Sequence, residues 1–176
     1  QLSILKARGE MGPSVQIVFF DCEDMGTPSH YTGLERPHTW CLGSQYWAQQ
    51  YIQHSPIKLQ YGILLDMVGD PSATFPREYF SMQYANGYLE QLWRSANRLG
   101  YGRYFVPSTT YYPITDDHYY VNTIARIPCV DIIDYKTNTE TGFAEWWHTQ
   151  QDDMRNINHQ TLQAVGETVL TTICSK

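Results

Sequence analysis

Two kinds of apolar pattern alternate along the chain: short continuous runs, and longer stretches in which apolar side chains return every three or four positions. Residues 15–21 (VQIVFFD) form a nearly continuous run, which suits a strand buried on both faces of a parallel sheet. Leu59 to Val68 (LQYGILLDMV) and Ile127 to Tyr135 (IPCVDIIDY) repeat it, and Arg103 to Val106 reads as a shorter strand. Helical spacing fills the intervals. Ser44 to His54 sets Tyr46, Trp47, Tyr51 and Ile52 mostly on one side, with Ser44 as N-cap. Glu78 to Leu99 carries Leu89, Leu92, Trp93, Ala96 and Leu99 as a core stripe, closed by Gly100 after the loop Pro71 to Pro76. A further helix runs from the Asp116–Asp117 pair to Arg126, and Asn158 caps a last one whose Leu162, Val165, Val169 and Ile173 share a face. Leu2 to Arg8, stopped by Gly9, reads as the end of a helix whose beginning is absent. The alternation predicts an α/β fold: a mostly parallel (mixed) sheet flanked by helices on both faces.

The loop from Cys22 to Gly43 is about 20 residues long, more than a plain connection needs, and such loops usually carry function. With 176 residues, 42% of them hydrophobic and 17% charged, residues 1–176 read as a single globular domain. A net charge of −6 without any basic run argues against nucleic acid or an anionic membrane as partner. No apolar run approaches the roughly 20 residues needed to span a bilayer. Cys22, Cys41, Cys129 and Cys174 show no CxxC spacing, so they form no structural zinc site; Cys22 and Cys41 either bridge the long loop or stay free thiols. Opening at Gln1, the chain reads as a processed product or an internal fragment.

Candidate chemistry gathers at strand ends. Asp21, Glu23 and Asp24 follow the first run and Asp66 sits in the next, at the sheet edge where ligands bind in open α/β folds. Asp116, Asp117 and His118 open a helix, and His148 ends the aromatic segment GFAEWWHT. If these meet, carboxylates and an imidazole make a donor set suited to zinc, catalytic if one coordination position stays open. His118 reads as structural, His30, His38, His54 and His159 as surface residues, and Asp152 and Asp153 as turn residues.

The motifs FFDCED and LGSQYWA, LLDMVGD followed by TFPREYFS, TDDHYY before IPCVDII, and GFAEWWHTQQDD occur in one order over nearly the whole chain. In that order they resemble the zinc-dependent exopeptidase family that includes bacterial leucyl aminopeptidases and the glutaminyl cyclases. The TFP segment, the paired aspartates before His118 and the Phe143 to His148 segment are most similar to a bacterial glutaminyl-peptide cyclotransferase. The resemblance implies a zinc-exopeptidase-like fold, N-terminally incomplete here, with zinc as cofactor and peptide or protein N-termini as substrates. It implies Asp24 and His148 as zinc ligands, Glu23 as general acid/base, Asp66 and Asp116 as a hydrogen-bonded acidic pair near the substrate amine, and Phe143 with Trp147 as pocket walls. Another zinc aspartate of the family lies upstream, so a missing N-terminal segment is expected to complete the metal site. The implied reaction is conversion of N-terminal glutamine to pyroglutamate with release of ammonia. Two alternatives stand beside it: an aminopeptidase, in which Glu23 activates water between two metals and Asp66 is a ligand, and a catalytically incomplete fragment. A periplasmic or cell-surface location is likewise implied.

Overall fold

The computed structural model describes residues 13–27 and 36–175. The two apolar runs on either side of the longest helix pair with each other: β1 (Gly62–Asp66) lies parallel to β4 (Cys129–Ile133), with Gly62 opposite Cys129 and Asp66 opposite Ile133. Parallel neighbours need a long crossover, and this one holds β2 (Phe75–Arg77), α2 (Tyr79–Arg98), β3 (Phe105–Thr109) and α3 (Asp117–Thr123). β2 and β3 form a second parallel pair, while α1 (Leu42–His54) precedes β1 and α4 (His159–Cys174) follows β4.

Helices cover both faces, as the alternation of side chains on β4 requires. Val130 and Ile132 face a core with Leu89, Leu92 and Trp93 of α2, Phe75, Phe105, and Ala164 and Val165 of α4. Cys129 faces the other way, against Ala48 of α1 and Val121 and Ala125 around α3. Leu89, Leu92, Trp93 and Ala96 of the α2 stripe are buried as expected, whereas Leu99, its last member, is the C-cap and 38% exposed. Burying each of the larger ones contributes about 2 kcal/mol. Trp93 Nε1 also donates to the Val106 carbonyl at 3.0 Å, fixing the helix on β3.

Residues 15–21 do not form the buried strand that their hydrophobicity predicts. They are extended but in no ladder, with Ile17 65% and Phe19 93% exposed; Phe20 packs edge-on to Trp47 at 5.8 Å. A continuous apolar run specifies a strand only where a sheet edge receives it, and among the described residues β1 and β4 pair with each other alone. β1 is accordingly half-covered, with Leu65 46% exposed.

Smaller differences have local causes. α1 starts at Leu42 with Cys41, not Ser44, at its N-cap, because backbone carbonyls of residues 21–23 reach its first N–H groups. Phe75 and Pro76, expected at the end of the loop Pro71 to Pro76, belong with Arg77 to β2, which pairs with β3; that strand itself runs to Thr109 rather than ending at Val106. α3 stops at Thr123, and Arg126 turns away in the left-handed region (φ 59°). In α4, capped by Asn158 as expected, the buried face is Thr161, Ala164, Val165, Thr168 and Thr172, whereas Leu162 is 40% exposed. The Thr168 and Thr172 hydroxyls donate to the carbonyls of Ala164 and Thr168, at 2.7 and 2.8 Å, so their methyl groups pack inside with no polar atom stranded. All four cysteines are free thiols. No described helix is long and apolar enough to cross a membrane. The helix expected at Leu2 to Arg8 and His30 lie outside the described residues.

Candidate active site

Glu23 is set by the backbone around it. Carbonyls of Asp21, Cys22 and Glu23 accept from the N–H groups of Gly43, Leu42 and Cys41 at 3.2, 3.1 and 2.8 Å, so the acidic loop itself caps α1. That approach needs Gly43, where a Cβ would stand 2.3 Å from the Asp21 carbonyl oxygen. Asp66 ends β1, and Asp116 is the N-cap of α3, its Oδ1 accepting from the Asp117 N–H. Among the described residues, five non-glycine residues have φ in the left-handed region, and four of them, Cys22, Cys41, Met67 and His148, are site residues or their neighbours. Such strain concentrates where function fixes side-chain direction.

The carboxylates act on one another. Burial, then the charges of Asp66, Asp117 and Asp24, push Glu23 up to about 7. Burial also lifts Asp66 to about 6; the Met67 N–H opposes this, and Asp117, Asp152 and Asp24 add to it. Asp116 is driven well above the ordinary carboxylate range by burial and then by the charge of Asp66, and its buried Oδ2 has no hydrogen-bond partner. Asp117 is raised by burial, with Ser44, His118 and Cys41 pulling it back. Among the described residues, no lysine or arginine appears in the groups that shift these four. Glu23, Asp66 and Asp116 are therefore brought together in one anionic cluster.

Behind the cluster is a buried arrangement that the sequence did not bring forward. Glu78 caps α2, accepting from the N–H groups of Phe80 (3.0 Å) and Ser81 (2.7 Å), the Ser81 hydroxyl (2.9 Å) and the Ile114 N–H (3.3 Å). His118 Nε2 lies 2.9 Å from the same carboxylate, and its Nδ1 3.5 Å from Asp131 of β4; all three side chains are fully buried. Burial works against the Glu78 charge, but His118 and the capping N–H groups outweigh it, and the carboxyl lies below its ordinary value. Asp131 is raised far by burial and by Asp116, Asp66, Glu78 and Asp117. Its one sequence signal is a charged residue in the middle of IPCVDII, since a carboxylate in a fully buried strand needs a reason. Cys41 and Glu78 carried no comparable signal.

The rings of the aromatic segment stack on one another. Phe143 and Trp147 are half-buried with ring centroids 4.6 Å apart, and Trp147 stacks on His148 at 3.9 Å. Asp152, four residues beyond His148, acts on Asp66, so this segment borders the carboxylates. Asp24 acts on both Glu23 and Asp66. Asp24 and His148 are both exposed, and neither belongs to the close donor clusters among the described residues, Glu23–Cys41–Asp116 and Asp116–His118–Asp131. In donor chemistry alone, one carboxylate and one imidazole are ligand types that a zinc-type cation takes.

The Peptidase family M28 profile matches residues 2–173. Among solved structures, the chain is similar to the Tannerella forsythia glutaminyl cyclase (50% identity, TM-score 0.83, covering 90% of this chain and 53% of that one). A Zn-dependent exopeptidase from Parabacteroides distasonis gives 47% and 0.83, with 90% and 53% covered. A leucine aminopeptidase precursor from Bacteroides thetaiotaomicron gives 40% and 0.81, with 90% and 52% covered. The chain thus spans about half the length of these relatives. No curated protein matches it.

Proposed function

Because the chain belongs to Peptidase family M28, we propose that it carries site residues of a zinc-dependent glutaminyl-peptide cyclotransferase, which closes N-terminal glutamine to pyroglutamate and releases ammonia. The observation that supports this reading is the half-buried Asp66 set near the buried Asp116: the charge of Asp66 raises the affinity of Asp116 for a proton, and both carboxyls lie above their ordinary value. Two carboxyls so placed share a proton, and the pair can receive a substrate amine while staying singly charged. The similarity to the Tannerella forsythia glutaminyl cyclase points the same way.

In this reading Asp24 and His148 hold zinc, which when bound supplies Lewis acidity at the substrate amide carbonyl. Glu23 accepts a proton from the α-amine as its nitrogen bonds to the side-chain amide carbon, then returns that proton to the departing nitrogen, which leaves as ammonia. Phe143 and Trp147 enclose the folded glutamine side chain and hold the amine against its own amide.

A second reading, a zinc-dependent aminopeptidase, is favoured by the likeness to the Bacteroides thetaiotaomicron leucine aminopeptidase precursor. There Glu23 activates water and Asp66 becomes a metal ligand. Incubating the full-length protein with a Gln-initiated and a Leu-initiated peptide, with and without chelator, separates the two. Chelator-sensitive ammonia release from the first alone supports the cyclase; release of free leucine overturns it in favour of the peptidase.

A further inference from the structure

The wall of the acidic cluster contains a thiol that the proposed reaction does not use. Cys41 is fully buried, held in the left-handed region at φ 53°, and its backbone N–H bonds to the Glu23 carbonyl. Its sulfur, a Glu23 carboxylate oxygen and an Asp116 carboxylate oxygen all lie within 4.8 Å of one another. Asp116 is buried with an oxygen that has no partner, and so is Asp117 beside it. Glu23 is only half-buried, so the cluster is approached from the carboxylate side.

We propose that Glu23, Cys41 and Asp116 form a second cation site, distinct from the Asp24–His148 pair, that takes a thiophilic divalent ion such as cadmium or excess zinc. Around a tetrahedral ion with metal–oxygen and metal–sulfur bonds of about 2.0 and 2.3 Å, one sulfur and two oxygens stand roughly 3.3 to 3.5 Å apart. Side-chain rotation of about an ångström brings the three donors to that spacing. On binding, the Cys41 S–H bond breaks, its proton leaves to solvent and a sulfur–metal bond forms, with no change of oxidation state; protons on the two carboxyls leave the same way. Burial and the surrounding carboxylates hold the thiol protonated, and the charge of the ion reverses that balance. Soft sulfur with two hard oxygens favours zinc and cadmium over magnesium or calcium. Occupation would engage Glu23 and stop turnover. That consequence rests on the cyclase reading; the binding does not.

The test uses zinc-loaded protein with Cys22→Ser and Cys174→Ser, titrated with cadmium and read by the ultraviolet thiolate-to-cadmium charge-transfer band. An ion held by Asp24 and His148 has no sulfur ligand and is silent in this band, so the band reports the proposed site whether or not the protein cyclises glutamine. The expected result is a band saturating at one thiolate per chain, lost on adding Cys41→Ser and weakened about tenfold or more in affinity by Asp116→Asn. Absence of the band at millimolar cadmium, or its survival in Cys41→Ser, overturns the proposal. Should Cys41→Ser unfold by circular dichroism, an unchanged cadmium affinity in Asp116→Asn overturns it instead. Ammonia release without the band removes this site alone, whereas the band without ammonia release removes the cyclase reading alone.

Discussion

Replacing Asp66 by asparagine preserves the side chain's shape and its bond from the Met67 N–H while deleting its charge. In the folded chain this carboxyl binds its proton more tightly than the ordinary value of 3.8 allows, at about 6, because it is buried and faces Asp117, Asp152 and Asp24. The unfolded chain, with no such surroundings, titrates at the ordinary value. Between the two values the folded form holds more protons, so this group's contribution to stability falls as pH rises from about 4 to about 6 and is level beyond. Two units at ~1.4 kcal/mol each make about 3 kcal/mol. Asp66→Asn should therefore match the parent near pH 4 and exceed it by about 3 kcal/mol at pH 7, or about 6 to 12 °C in Tm for a chain of this size. Urea unfolding across that range, with chelator present so that no cation holds the carboxyl ionised, measures it. A parent and a variant with parallel pH profiles, or a parent that gains stability as pH rises from 4 to 6 relative to the variant, would refute the reasoning.

Glu23→Gln should abolish ammonia release while leaving zinc content unchanged by elemental analysis; loss of the metal would make Glu23 a ligand. Glu78→Ala removes the α2 cap and leaves His118 buried without its partner, at a cost of about 3 to 5 kcal/mol in urea unfolding. Phe19→Lys, at a side chain 93% exposed in an unpaired extended segment, should reduce self-association of the isolated chain in sedimentation and leave its Tm within about 1 °C.

What was legible in the sequence followed from periodicity and local chemistry. The α2 stripe, the Asn158 cap and the pairing-competent runs at Gly62–Asp66 and Cys129–Ile133 each have a cause within a few residues, and each appears in the fold. Residues 15–21 show the limit of that logic, since an apolar run becomes a strand only through a partner elsewhere in the chain. On α4, Thr161, Thr168 and Thr172 were hidden for a related reason: threonine is counted as polar until its hydroxyl is seen bonded to a carbonyl. Of the acidic cluster, Glu23, Asp66 and Asp116 were named from motif order, whereas Asp131, Glu78 and Cys41 depend on contacts across tens of residues. Glu78 and His118 are 40 positions apart, and no spacing rule connects them.

Glu78 binds the first turn of α2, the Ile114 amide and His118 through a single carboxylate. Opening of that turn would therefore release the entrance to α3 as well, so the amides of Phe80, Ser81 and Ile114 should exchange with solvent deuterium as one cooperative unit despite their separation along the chain. The catalytic face would then inherit its rigidity from the docking of a helix that contributes no residue to the proposed chemistry.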